Sequence, residues 1–265
     1  MLASAAGFAV MAASARMMPE IPALEKVFVR SVIAVVLTLW AIRRADVVLQ
    51  STRPLMLGLR ALFGFAGLWC YFAAIERLPL GTAVTVYNTA PLFAALIGVL
   101  VMGERLRSIQ AFSLVFGLGG VALIKGLSPG LSLSGVMFGL GTAIFSAVAY
   151  SLVRVLTRTE HPLLIVLAFP LISVPLAALL GFNRFVMPVG YAWFWLVLLG
   201  VSTQIGQVCL TNGLRYHTAT RATQIGFVGV VIAMMLGIPI GDGWPGLPQL
   251  MGAGIVFWSL SLGRK

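Results

Sequence analysis

In a chain of 265 residues, 60% hydrophobic and only 9% charged, the balance departs from that of soluble domains, which are about 45–50% apolar and about 25% charged. This excludes a water-soluble globule, and it excludes disorder, which needs low hydrophobicity with high charge. A formal charge of +11 would point a soluble protein toward nucleic acid. Here Lys and Arg stand in ones and twos between apolar runs, so no nucleic-acid partner is expected and the charges are read as orientation signals in a lipid bilayer.

A helical span consumes about 20 apolar residues, so ten spans nearly exhaust the chain. The apolar runs fall at 1–17, 23–42, 54–76, 79–102, 108–125, 134–156, 162–182, 189–214, 218–240 and 246–262. Polar breaks separate them, among them Arg43-Arg44-Ala45-Asp46, Leu127-Ser128-Pro129-Gly130 and Gly241-Asp242-Gly243-Trp244-Pro245. The expected fold class is therefore an all-α polytopic membrane protein with about ten transmembrane helices. The first run has no basic residue before Arg16 and is read as a span rather than a signal peptide. In the fourth run Pro91 cannot donate to the carbonyl of Tyr87, so that helix should loosen beside Asn88, whose side chain can stand in for the lost donor, and Pro91 becomes a candidate gating residue. Pro170 and Pro175 in the seventh run are ascribed to packing.

Orientation follows from the alternate turns. Twelve of the 18 basic residues belong to one set: Arg43, Arg44, Arg53, Arg60, Arg105, Arg107, Arg154, Arg158, Arg215, Arg221, Arg264 and Lys265. The positive-inside rule then puts both termini in the cytoplasm, in a cytoplasmic (inner) membrane. Cys70 and Cys209 lie in apolar runs without His or Cys at ligand spacing, so no disulfide, metal site or cofactor is expected.

Residues 57–123 repeat weakly 139 positions later, for example Gly67/Gly206, Cys70/Cys209 and Gly98/Gly237, and the breaks recur in step. A duplicated unit of five spans must enter the membrane inverted the second time, the plan of many secondary transporters. The expected repeats are residues 1–125 and 134–262.

The runs Arg60-Ala-Leu-Phe-Gly64, Phe72-Ala-Ala-Ile-Glu-Arg-Leu-Pro-Leu-Gly81, Ala90-Pro91-Leu-Phe-Ala-Ala95 and Gly103-Glu104-Arg105, with Leu156-Thr-Arg-Thr-Glu160 and Gly206-Gln207 later, resemble the EamA family of the drug/metabolite transporter superfamily. Against that family only the first helix looks curtailed, and Gly241-Asp242-Gly243 stands where the second repeat more often carries Gly-Glu. The resemblance implies ten helices in two inverted five-helix repeats around a central cavity. It also implies transport of small organic metabolites such as amino acids and their derivatives, with S-adenosylmethionine among them.

Enzymatic chemistry would need a nucleophile with its base, a carboxylate pair or a metal cluster. None is legible, and no phosphate-binding loop is present. The rival readings are a membrane-embedded enzyme and a non-transporting helical scaffold; the preferred one is a secondary transporter working by alternating access, its partners a small-molecule substrate and the bilayer, with a homodimer left open.

Polar side chains inside spans mark candidate site residues, since hydrocarbon offers them no partner. Gln204, Gln207 and Thr211 share a stripe, as do Thr220, Thr223 and Gln224, while Tyr87 and Asn88 stand together in the fourth span. For the amides a cavity lining is preferred; for the threonines the preferred role is interhelical ties of about 0.6 kcal/mol each. Arg30, seven residues into its span from the outer side, is a candidate for a substrate carboxylate, and Trp69 and Tyr150 are candidates for stacking on substrate. Arg60, six residues in from the cytoplasmic side, is expected to snorkel to the headgroups.

Overall fold

The computed structural model describes residues 2–90, 92–94, 96–97, 108, 112, 115–120, 130–216 and 219–262, with backbone only at 214–216, 219–227, 259–260 and 262. Pro91, and most of the fifth apolar run, lie outside the described residues. Among the described residues the regular structure is helical: α1 (Leu2–Arg16), α2 (Ala23–Arg44), α3 (Pro54–Ile75), α4 (Leu80–Tyr87), α5 (Leu133–Leu156), α6 (Pro162–Gly181), α7 (Ala192–Tyr216), α8 (Ala219–Gly237) and α9 (Leu247–Leu262). Residues 115–120 are helical as well.

Local chemistry explains the starts. Proline at the first turn opens α3 and α6, where its missing N–H costs no hydrogen bond. The Ser132 hydroxyl accepts from the Gly135 amide at 3.2 Å and caps α5. α4 ends at Tyr87 in a turn over Asn88 and Thr89, the place where loosening was expected. The Asn88 amide does not bridge to the Tyr87 carbonyl, however; its Nδ2 donates to Val84 O at 2.7 Å.

Four helical segments, Pro54–Ile75, Leu133–Leu156, Pro162–Arg184 and Ala192–Gly213, are long and apolar enough to cross a bilayer. α2 matches them in length at 22 residues but carries Glu25, Lys26, Arg30, Arg43 and Arg44. Its first three charged residues are buried inside the bundle, the arrangement hydrocarbon demands of a charge. Outward faces stay apolar, with Val36, Leu55, Leu179, Val197 and Val231 more than half exposed. So extensive a greasy surface suits lipid and not water.

The helices pack in a regular set of pairs. α3 lies along α5 and α6, α1 along α7 and α8, and α2 along α6 and α7; α4 packs on α8 and α5. Gly7 marks the tightest approach of α1 to α7: a Cβ there would sit 2.8 Å from the Ser202 carbonyl oxygen, and the neighbouring Ser4 hydroxyl donates to Gly206 O at 3.0 Å.

One end of the bundle is tied by charges. Arg16 at the close of α1 donates to Asp242 through Nε and Nη2, at 3.2 and 2.8 Å, and through Nη1 to Ile75 O at 2.8 Å. The other Asp242 oxygen accepts from the Leu80 amide at 2.6 Å. Asp242 can reach both because Gly241 and Gly243 take left-handed backbone, φ 98° and 71°, and fold the segment after α8 back over α1 and α4. Beside this knot, fully buried Lys26 pairs with Glu76 at 3.1 Å, and Glu25 accepts from the Val186 amide at 2.8 Å.

At the opposite end, Glu160 caps the turn between α2 and α3. Its Oε1 accepts from the Ser51 and Thr52 hydroxyls and the Thr52 and Arg53 amides, at 2.7–3.1 Å. Desolvation pushes the Glu160 carboxyl up, and these four donors together outweigh it and hold the group below the ordinary carboxylate range. A carboxyl lowered in the folded state stabilises the fold above its unfolded pKa, about 4.3, and loses that contribution as pH falls through the lowered value. Glu160→Gln is therefore expected to melt a few degrees below the wild type at pH 7, with the gap closing as pH drops below about 4; a gap independent of pH in detergent melting curves would remove this role.

Candidate functional site

A cavity opens near mid-span between the two sets of helices. Its walls are Phe8 and Met11 of α1; Arg60, Gly64, Gly67, Leu68 and Tyr71 of α3; Tyr87 of α4; Thr142, Ser146, Ala149 and Tyr150 of α5; Phe169 of α6; and Thr203 and Gln207 of α7. Helical periodicity selects them: at 100° per residue, Arg60, Gly64, Gly67, Leu68 and Tyr71 fall on one face of α3, as Thr203 and Gln207 do on α7.

The space holds about 60 Å³, room for a few waters and well under the ~300 Å³ at which small-molecule sites begin. A hydrogen bond between the Tyr87 and Tyr150 hydroxyls crosses it and joins α4 to α5. The Tyr71 ring packs against that of Tyr87, centroids 5.4 Å apart. Admission of a metabolite thus requires these rings to part.

Arg60 is the charged member of the wall. It does not reach the membrane surface: it is 2% exposed, with its guanidinium carbon 4.9 Å from the Phe169 ring centroid. The reason is Gly64, one turn on. A Cβ there would stand 2.5 Å from Arg60 Nη1 and 2.9 Å from the Phe169 ring, so the missing side chain is the slot that lets the guanidinium turn inward. The Arg60-x-x-x-Gly64 spacing was the available signal, and distance from the span end alone could not reveal it.

Of the residues picked from sequence, Tyr87, Tyr150 and Gln207 meet at the cavity. Arg30 is fully buried behind it, its guanidinium carbon 4.6 Å from the same Phe169 ring. Three others are not brought there. Trp69 lies nine residues after Arg60, half a turn around α3, and is 38% exposed in a separate pocket of about 460 Å³ with Leu24, Phe182 and Arg184. Gln204 turns to α2 and donates to the Thr38 hydroxyl at 2.7 Å; Asn88 is spent within α4. The Gln224 side chain and Pro91 lie outside the described residues. Tyr71, Phe8, Thr142, Ser146, Phe169 and Thr203 are wall residues that sequence reasoning did not single out, and Arg60 is one that it assigned to the headgroups instead.

An apolar helical bundle with a hollow at mid-depth that carries a few polar groups is the build of a polytopic membrane carrier. Residues 1–126 and 133–262 both match the model of the EamA-like transporter family. Over 213 residues the chain is 33% identical to the pseudopaline exporter CntI of Pseudomonas aeruginosa, covering 80% of this chain and 75% of that one. It is 26% identical over 248 residues to an uncharacterized transporter of Helicobacter pylori, with 89% and 83% covered. A crystal structure shares the fold at a TM-score of 0.71 and 20% identity, over 99% of this chain and 96% of the other. The chain belongs to the EamA-like transporter family; it is a membrane transporter and not an enzyme.

Filling the slot gives a direct check. Gly64→Ala is expected to displace Arg60 or Phe169 at a cost of about 1–3 kcal/mol and to cut transport at least tenfold, read as flux per folded protein in liposomes. Gly58→Ala, on the same helix with nothing within 4 Å of the added carbon, should leave flux unchanged.

Proposed function

We propose that the protein is a secondary transporter that moves small organic metabolites, amino acids or their derivatives, across the cytoplasmic membrane by alternating access. The observation that carries this reading is a mid-depth cavity, largely apolar but furnished with Arg60, Gln207 and several hydroxyls, walled by both halves of the chain and tied shut by ion pairs at one end of the bundle. Either half moving against the other would widen the cavity and change the side to which it opens.

The packing pairs support a repeated build. Exchanging α1, α2, α3 and α4 with α5, α6, α7 and α8 turns α3–α5 into α7–α1, α3–α6 into α7–α2 and α1–α8 into α5–α4, and returns α2–α6 and α4–α8 to themselves. Two five-helix repeats over 1–125 and 134–262, the second inverted, have that property, with the run at 108–125 as the fifth member of the first and α9 as that of the second. The basic turns favour cytoplasmic termini, which places the Glu160 end inside and the Asp242 end outside. The CntI relative is named for export, and export is the direction adopted. Tyr87, Tyr150, Gln207 and Arg30 are the binding residues from sequence that this reading keeps nearest the substrate, with Arg60 added; Pro91, Asn88 and the α4 break serve the gate, and Gln224 is placed on the corresponding helix of the second repeat. The described cavity lining comes from helices of one chain, and this reading assigns binding to the single protomer.

Proteoliposomes preloaded with single amino acids or S-adenosylmethionine, with tracer outside, test the reading. The expected result is a transient tracer overshoot for at least one solute, lost when Tyr87→Ala is combined with Gln207→Ala. No overshoot for any solute, or one untouched by the double variant, overturns it. Asp242→Asn, which removes the ion pair to Arg16, should speed labelling of a cysteine placed at Met11 from the outer side by about tenfold while leaving the protein folded.

A further inference from the structure

Both arginines beside the cavity lack the partners that buried guanidinium groups require. Each carries five N–H donors and accepts nothing. Among the described residues neither Arg30 nor Arg60 makes an ion pair or a hydrogen bond, and Arg30 Nε and Nη1 and Arg60 Nε are fully buried with no acceptor. Both guanidinium carbons lie within 5 Å of one Phe169 ring centroid, and hence less than 10 Å from each other. The ring face attracts each cation but takes none of its hydrogen bonds.

Four of the six described acids are engaged elsewhere, and the other two, Glu20 and Asp46, lie exposed in the turns before and after α2. Glu76 holds Lys26, Asp242 holds Arg16, Glu25 accepts from Val186 and Glu160 caps a turn. The cavity wall itself carries no carboxylate among the described residues; besides Arg60 its polar groups are neutral hydroxyls and the Gln207 amide. Among the described residues the site therefore has two uncompensated positive charges, unspent donors and no acid to receive an ammonium group.

We infer that the substrate is a net-anionic metabolite bearing more than one carboxylate, one of which binds Arg60 in the cavity while Arg30, across the Phe169 ring, supplies the second positive charge that favours the dianion. The inference rests on the transport reading above and narrows its substrate class. A carboxylate matches the planar fork of Arg60 with two parallel N–H···O bonds, and the neutral hydroxyls of Tyr87, Tyr150, Thr142 and Thr203 stand nearby to receive the rest of the molecule. A net cation such as S-adenosylmethionine would meet repulsion from both arginines.

The test uses the purified full chain in detergent and in liposomes, at constant 100 mM chloride, with matched acid and amide probes: glutamate against glutamine, aspartate against asparagine, succinate against succinamide, and lysine as the cation. Melting temperature and counterflow are read for each. At least one acid is expected to raise the melting temperature by several degrees and to exchange at least tenfold faster than its amide. Arg60→Gln should abolish that preference, Arg60→Lys should keep part of it, and Arg30→Gln should weaken it. Without ligand, Arg60→Gln should melt no lower than the wild type, because it removes an uncompensated charge; a large loss would make Arg60 a structural residue and overturn the assignment. Amides or lysine acting as well as the acids, no acid acting at all, or chloride alone giving the full stabilisation would each overturn it too. Counterflow without acid preference removes this inference and leaves the transport reading standing. Acid-selective stabilisation without counterflow of any solute overturns the transport reading and, because the inference names a transported substrate, the inference with it.

Discussion

A charge inside hydrocarbon must find a partner in the protein or pay several kcal/mol for lacking one, and that constraint organises this molecule. The helix that tests it hardest is α2, which carries Glu25, Lys26 and Arg30 in its first eight residues, all of them buried. Two are answered within the fold: Glu25 by the Val186 amide and Lys26 by Glu76. Arg30, one turn deeper than Lys26, is answered only by an aromatic face. Along this single helix the charges pass from satisfied to unsatisfied as they approach Phe169, whose ring itself forms part of the cavity wall.

The same constraint accounts for what could be read from the sequence. Apolar runs and their breaks are written in composition, and the described helices follow them closely: α2, α3, α5, α6, α7 and α9 begin and end within a few residues of the expected runs. A break beside Asn88 was expected and α4 does end at Tyr87, although the use Asn88 makes of its amide was not legible. Direction around a helix was harder. Trp69 and Arg60 are both plausible as site residues in a linear reading, yet they point to opposite sides of α3, and only the neighbouring helices decide which side is the interior.

Gln204 and Gln207 make a similar point at closer spacing. Three residues apart on one broad stripe, they divide between two jobs, with Gln204 tying α7 to the Thr38 hydroxyl of α2 and Gln207 turned to the cavity with Thr203. Either amide could have done either job by its chemistry. Arg60 was misplaced for a different reason: six residues is within reach of the headgroups for a free side chain, and its inward turn depends on an absence, the missing Cβ of Gly64. Patterns of present residues do not display a slot made by one that is small.

The departure at Gly241-Asp242-Gly243 has a comparable explanation. A glutamate with its longer stem can reach across a gap, whereas aspartate must be carried to its partners by the backbone. Two left-handed glycines do that carrying, and the short carboxylate then joins three pieces at once: the end of α1 through Arg16, the start of α4 through the Leu80 amide, and, through the second donor of Arg16, the end of α3 at Ile75. A knot held by few atoms near the bundle end can be undone without unpacking apolar surface, because its groups regain water as they separate. By contrast, the Tyr87 to Tyr150 bond lies deep, and breaking it leaves two hydroxyls that only a ligand or entering water can satisfy. The cavity is thus shut by two contacts of different character, an ionic one that solvent can replace and a buried one that a substrate can replace. Because the inner hydroxyls lie away from bulk water, opening without a substrate leaves them to whatever water can enter, and the empty carrier is favoured to stay shut.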